Sequence, residues 1–266
     1  LPTMPPGSPG TVGTRGKRKV RSFVIPHIPH DDVVLPEEVQ GIRAFGSETE
    51  LETLAGALRF FTRLPLPGAL GHSGFALQKS IRYFPLAGAV VGALGAAVFA
   101  FCMLFWPKTL AVLAAIAAIV YFTGAIHEDG WGDMVDGFGG GWDKQRILDI
   151  MKDSRVGSFG VVAVTLMLLM RFIALVEIDT ALVPIALIAG HAFSRFCATL
   201  ILATMDYVRD QGKAKPFDNH LGAFGFFCAG FAALVPLGGL PPAQALTAVI
   251  GALLATAWLA RLFKTR

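Results

Sequence analysis

The stretch YFPLAGAVVGALGAAVFAFCMLFWPKTLAVLAAIAAIVYFTGAI, Tyr83 to Ile126, decides the fold, because Lys108 is its only charged residue. A helix crosses a bilayer with about 20 apolar residues. The tract is too long for one crossing and long enough for two. Around it, 54% of the 266 residues are apolar and 16% are charged, against roughly 25% charged in a soluble domain. The chain therefore reads as an all-α, polytopic membrane protein. Spans are expected at 83–105, 109–126, 158–177, 181–203, 222–239 and 242–260, six in all. Pro107, Pro184 and the Pro241-Pro242 pair fall at connections or first turns, where helices restart.

The distribution of Lys and Arg orients these spans. Lys144, Arg146, Lys152 and Arg155 lie in the loop 127–157, Arg209, Lys213 and Lys215 in the loop 204–221, and Arg261, Lys264 and Arg266 at the C-terminus. The alternate connections hold only Lys108, then the acids Glu177 and Asp179, then no charge from Gly238 to Pro241. Six spans under the positive-inside rule put both termini and both long loops in the cytoplasm. The net charge of +4 then marks topology, and no nucleic-acid partner is expected. Cys102, Cys197 and Cys228 sit singly inside apolar runs and read as packing residues.

Residues 1–50 differ from the rest. Pro and Gly are scattered from Leu1 to Gly13, and the basic run Arg15 to Arg21 has no apolar segment behind it. That excludes a signal peptide and reads as a disordered extension, leaving 51–266 as one integral membrane domain. From Glu48 to Leu66, Leu51, Leu54, Leu58 and Phe61 recur at helical spacing beside Arg59 and Arg63, as in a helix lying along a membrane surface.

Seven of the nineteen Asp and Glu residues fall between Glu128 and Asp153. Asp129, Asp133 and Asp136 are spaced i, i+4, i+7, which confines them to an arc of roughly 60° on one helical face. Gly137, Gly139, Gly140 and Gly141 are expected to break that helix, and Asp149 and Asp153 follow, again four apart. The expectation is a cytoplasmic helical hairpin with its carboxylates turned inward. Like charges on one face repel, and hard oxygen ligands without nearby Cys select Mg²⁺, Mn²⁺ or Ca²⁺. Mg²⁺ is preferred, because it bridges carboxylates to substrate phosphates and so suits a diphosphate. Lys152 and Arg155 could neutralise phosphate oxygens. Glu128, off the phase of Asp129, and Asp143, after the glycines, read as solvated. His127 could ligate metal or phosphate, or be structural. Intramembrane charge is costly and turns inward: Arg195, beside Ser194 and His191, reads as a phosphate contact or a structural pair, and Arg171 as structural.

Four segments carry a resemblance to the cobalamin synthases, the adenosylcobinamide-GDP ribazoletransferases of bacteria and archaea. They are FFTRLPLP at Phe60 to Pro67, RYFPLAGAVVG at Arg82 to Gly92, HEDGWGDMVDG at His127 to Gly137, and IMKDSRVGSFG at Ile150 to Gly160. The resemblance implies an inner-membrane transferase with its site toward the cytoplasm. It would join α-ribazole or its 5′-phosphate to adenosylcobinamide-GDP and release GMP. It further implies metal ligation by Asp129, Asp133, Asp136 and Asp149, catalysis by Asp133, Asp153, Lys152 and Arg155 with Asp153 as base, and substrate binding by Arg63, Arg82, His127, Ser154 and Arg195. A homo-oligomer is compatible with it. Members continue past the basic tail into a further apolar helix, so an end at Arg266 implies a truncated C-terminus.

DMVDG and DIMKD also resemble, more distantly, the two halves of the CDP-alcohol phosphotransferase signature, with a shorter gap between them. That keeps a lipid-directed phosphotransferase or prenyltransferase as the alternative enzyme. A divalent-cation transporter is the non-enzyme alternative; it requires acids near the bilayer midplane, whereas these cluster at a span end.

Overall fold

The structure, a computed structural model, describes residues 49–66, 79–205 and 221–265, and every regular element among them is helical. The disordered reading of 1–50 and the charges of the 204–221 loop lie outside the described residues, except for Thr49 and Glu50. Thr49 opens α1, Glu50–Phe61, with a reciprocal cap. Its hydroxyl accepts from the Glu52 N–H at 3.3 Å, and its own N–H donates to the Glu52 carboxylate at 2.9 Å, satisfying two end donors at once. The buried face of α1 is Thr53, Ala57 and Phe61. Leu51, expected on an apolar stripe along the membrane surface, is 62% exposed.

A 3₁₀ turn, Ser80–Tyr83, leads into α2, Phe84–Cys102, which packs closely on α7, Val183–Thr204. Glycines permit the approach. A Cβ at Gly88 would lie 2.2 Å from the His191 carbonyl oxygen, and one at Gly92 would lie 2.5 Å from that of Leu187. Small residues one turn apart let membrane helices bring their backbones together. On its other side α2 meets α3, Lys108–Thr123, where Gly95 receives the Ile119 side chain.

α3 stops short of the expected 126. Gly124 and Ala125 both adopt left-handed conformations, with φ of 66° and 58°, and the chain turns 84° into α4, Ile126–Gly140. An alanine in this region costs roughly 1–2 kcal/mol. The Arg63 side chain lies against Gly124 and donates to its carbonyl at 3.4 Å, and the Arg63 N–H donates to the Phe122 carbonyl at 2.7 Å. The break is thus braced from α1's end.

α4 then runs antiparallel along α6, Ser158–Glu177, with Gly139 against Phe159 and Gly132 against Val164. At the far end of α6, Lys108 Nζ donates to the Val176 and Ile178 carbonyls. α8, Ala223–Leu234, continues as a 3₁₀ turn, Val235–Gly239, before α9, Pro242–Thr265.

Among the described residues four helical segments are long and apolar enough to cross a membrane: Ser80–Cys102, Ser158–Glu177, Thr180–Thr204 and Pro242–Thr265. The bent pair α3 and α4 makes a fifth if it counts as one broken span. The segment expected at 222–239 is a shorter apolar helix.

Candidate active site

α4 builds the site from two faces. Glu128, Gly132 and Asp136, at i, i+4, i+8, are its buried stripe. Gly157 and Gly160 donate their N–H groups to the Asp136 carboxylate, both at 2.8 Å, so Asp136 caps the start of α6, where a helix leaves its first donors unmet. Both oxygens of this expected metal ligand therefore accept backbone N–H groups. Asp129 is exposed and Asp133 half-buried on the adjoining face.

The expected break falls at the end of the glycine run: α4 continues through Gly137, Gly139 and Gly140, and Gly141 follows it in an extended conformation. These glycines make room for α5, Lys144–Ile150: a Cβ at Gly137 would lie 2.7 Å from Met151 Cγ, and one at Gly141 would lie 2.6 Å from Ile147 Cγ1. Ile147 is therefore the residue α5 turns toward α4. Asp149, two positions on and roughly 200° around the helix, is exposed and accepts from Gln145 Nε2 at 2.9 Å. The inward-facing hairpin of carboxylates is thereby corrected, since an apolar contact claims the shared side. Asp143, expected to be merely solvated, caps α5 by accepting from the Arg146 N–H at 2.9 Å.

Asp153 is bound by its neighbour. Arg155 donates from Nε and Nη2 to its carboxylate at 3.1 and 2.6 Å, and from its backbone N–H at 3.1 Å. These contacts, the side-chain bonds first, hold the carboxyl down to about 2, which makes it a weak proton acceptor. Lys152, Ser154 and Arg155 are exposed beside it. Arg82 is also engaged elsewhere, paired with Glu50, whose carboxylate accepts from Tyr83 Oη as well. The Tyr83 bond is the main cause of a lowered Glu50 pKa.

Below the α3–α4 break lies a cluster that the chain order does not announce. Arg195, 5% exposed, donates from Nη2 to His127 Nε2 at 2.6 Å, from Nη1 to Ser194 Oγ at 3.0 Å, and directs Nη1 at His191 Nδ1 at 2.7 Å. Arg171 Nη2 meets the other ring nitrogen of His191. Phe61 supplies a wall, with its ring 5.6 Å from that of His127 and 5.7 Å from the Arg195 guanidinium carbon. Glu128, expected in solvent, is 8% exposed, and its Oε2 has no hydrogen-bond partner. Two cavities, about 240 and 360 Å³, share Arg171, His191, Ser194 and Arg195 as lining.

Of the expected site residues, the structure brings His127 and Arg195 together, and sets Asp129 and Asp133 on the helix that begins at that cluster. It leaves Arg63, Arg82, Asp149, Asp153 and Arg155 with other partners. Glu128 and His191 were missed, and Arg171, expected to be structural, meets His191. The i, i+4, i+8 spacing of Glu128 with Gly132 and Asp136 marks a buried stripe, and polar residues inside spans mark the other two.

These features define a helical integral membrane protein with a buried arginine-histidine cluster at the foot of an acidic half-span. The chain belongs to the cobalamin-5-phosphate synthase family, whose model matches residues 53–266. The adenosylcobinamide-GDP ribazoletransferase of Ralstonia pickettii (strain 12J) is 40% identical over 222 residues, which is 81% of this chain and 85% of that protein. The protein of the same name from Ralstonia nicotianae (strain ATCC BAA-1114 / GMI1000) is 41% identical over 79% of this chain and 83% of its own length. Residues 1–60 also match the phage major capsid protein E family, a likeness outside the site. No solved structure matches the chain.

Proposed function

We propose that this protein is an enzyme that transfers the phosphocobinamide group of adenosylcobinamide-GDP to α-ribazole or its 5′-phosphate, releasing GMP, as a late step of vitamin B12 assembly. The observation that carries the reading is the joining, on one short helix, of the acidic residues Asp129 and Asp133 to a buried cationic cluster at its first turn. Family membership over residues 53–266 supports the choice of reaction.

In the reaction an acceptor hydroxyl oxygen bonds to the corrinoid-bearing phosphorus. The bond from that phosphorus to the GMP oxygen breaks, its electron pair leaves with GMP, and the hydroxyl proton passes to solvent. This chain's residues supply position and charge. Asp129 and Asp133 present carboxylates on successive turns of one face. Arg195, buried, and Arg171, half-buried, supply fixed donors for charge-assisted hydrogen bonds. His127 and Phe61 hold the Arg195 guanidinium in place.

Mg²⁺ fits Asp129 and Asp133, because it takes one or two carboxylates and completes its shell with water and substrate phosphates. A closed protein cage does not fit: among the described residues no group of three or more His, Cys, Asp or Glu stands together to hold a metal. Bound there, Mg²⁺ would neutralise the diphosphate and the departing GMP. We further assign six crossings of the bacterial inner membrane, with the shorter Ala223–Gly239 segment and the broken α3–α4 span among them, and place the acidic face toward the cytoplasm by the positive-inside rule.

The test is to supply membranes containing the protein with adenosylcobinamide-GDP, α-ribazole and Mg²⁺, and to follow GMP and the joined corrinoid. Product formation that EDTA stops supports the reading. Turnover of a CDP-alcohol or prenyl diphosphate instead would replace it with the alternative enzyme class.

A further inference from the structure

Among the described residues only Gly124 and Ala125 have positive φ, and a non-glycine residue keeps such a conformation only where its surroundings fix it. Bonds inside the turn close the end of α3: the Gly124 N–H donates to the Tyr121 carbonyl at 3.2 Å, and the Ala125 N–H to that of Val120 at 3.0 Å. Arg63 reaches the same turn from outside. Its N–H donates to the Phe122 carbonyl at 2.7 Å, and its Nη2 donates to the Gly124 carbonyl at 3.4 Å. A Cβ at Gly124 would overlap the Arg63 guanidinium, with Cζ 2.6 Å away. The arginine therefore occupies the space that only a glycine leaves open.

α1 brings Arg63 to this place under restraint at both ends. At its start, Glu50 accepts from Arg82 Nη2 and Tyr83 Oη, both at 2.5 Å, just ahead of α2. At its end, Phe61 packs edge-on against Phe84, with 4.6 Å between ring centroids, and against His127 and the Arg195 guanidinium. One short helix thus links the start of α2, the cationic cluster and the break. The break also has leverage over the acids. From Ala125 to Asp133 α4 rises about 12 Å, so a swing of about 5° at the break carries that carboxylate about 1 Å. A misplacement of that size can cost about 100-fold in rate.

We propose that Arg63 is a positioning residue for the transfer reaction: by holding the Gly124-Ala125 break, it sets the acidic face of α4 against the Arg171–Arg195 cluster. The assignment rests on the ribazole-transfer reading. It takes the place of the substrate contact that the family resemblance implied for Arg63, because the guanidinium is engaged by the backbone of the break. Arg63 acts through α4 and touches no reacting atom.

The experiment measures GMP release by the full-length protein in membranes, with adenosylcobinamide-GDP, α-ribazole and Mg²⁺. Arg63→Ala should lower kcat about tenfold or more while KM for either substrate stays within about twofold of the parent value. Arg63→Lys, whose stem still covers Gly124 and whose ammonium still reaches its carbonyl, should recover part of the loss. A larger rise in KM for either substrate makes Arg63 a substrate contact and overturns the assignment, as does parent-like turnover by Arg63→Ala. Thermal unfolding in detergent supplies a second readout. Gly124→Ala should lower the midpoint less in an Arg63→Ala background than in the parent protein, because the overlap is gone, and equal shifts overturn the assignment. If Arg63→Ala does not accumulate, Arg63→Met, which keeps the stem and loses every side-chain donor, takes its place under the same criteria. Absence of GMP release by the parent protein removes the ribazole-transfer reading instead, and the unfolding comparison still tests the contact.

Discussion

His127, in the first turn of α4, and Arg195, near the middle of α7, meet at 2.6 Å between Nε2 and Nη2, tying the helix that carries the acidic face to the helix that carries the buried cation. The two residues are 68 positions apart, and Phe61 packs against both. The link makes the position of α4 depend on the arginine cluster.

Removing that link has a kinetic consequence. A hydrogen bond to a charged group contributes about 1.5–3 kcal/mol, so His127→Ala should lower kcat/KM for GMP release by about tenfold or more. His127→Gln, which keeps an acceptor, should lose less. Steady-state assays in membranes check this, and equal losses for the two variants would assign His127 a packing role.

Helix spacing at the site should be set by Gly88. With the His191 carbonyl oxygen 2.2 Å from a Cβ built there, Gly88→Ala must push α2 and α7 apart, at a cost of about 1–3 kcal/mol. Gly130→Ala is the comparison, since a Cβ there meets nothing within 4 Å. Thermal unfolding in detergent should show a lowered midpoint for the first variant and none for the second.

Two aspartates on adjoining faces of α4 should behave differently. Asp136→Ala removes the acceptor for Gly157 and Gly160 and should cost about 1–2 kcal/mol of stability, as loss of a helix cap does. Asp133→Asn should abolish turnover while leaving the unfolding midpoint near that of the parent protein. Unfolding and GMP-release measurements on both variants separate the structural acid from the functional one.

Proton uptake sets a further expectation. Because Arg155 holds the Asp153 carboxyl down to about 2, below the ordinary aspartate value of about 3.9, any stabilisation from the pair is present above about pH 4. It is lost only as pH falls through about 2. Asp153 thus stays ionised across neutral pH, and Asp153→Asn should scale turnover by a constant factor from about pH 5 to pH 9. A pH-rate profile that loses its acid limb in this variant would restore Asp153 as the base.

The helical membrane class was legible because apolar length is a cumulative signal that no single residue can hide. Tyr83 to Ile126 carries it with one lysine. The break at Gly124-Ala125 was not, since an alanine forced left-handed leaves no mark inside an apolar run. Periodicity placed Asp129, Asp133 and Asp136 on one face. It could not show that Asp136 would turn to the start of another helix. The inward hairpin failed because Ile147 outcompetes Asp149 for the surface offered by Gly137 and Gly141. Glu128 was misjudged for a related reason: its surroundings come from helices that the sequence does not place in contact.

The central claim is that Asp129 and Asp133 work with divalent cation on a diphosphate beside the arginine pocket. GMP release from adenosylcobinamide-GDP by membranes bearing the parent protein or Asp133→Asn, titrated with Mg²⁺, tests it most directly. The account predicts Mg²⁺-dependent release by the parent and none by a variant that remains folded in the membrane. Undiminished release by Asp133→Asn, or release indifferent to EDTA, would contradict it.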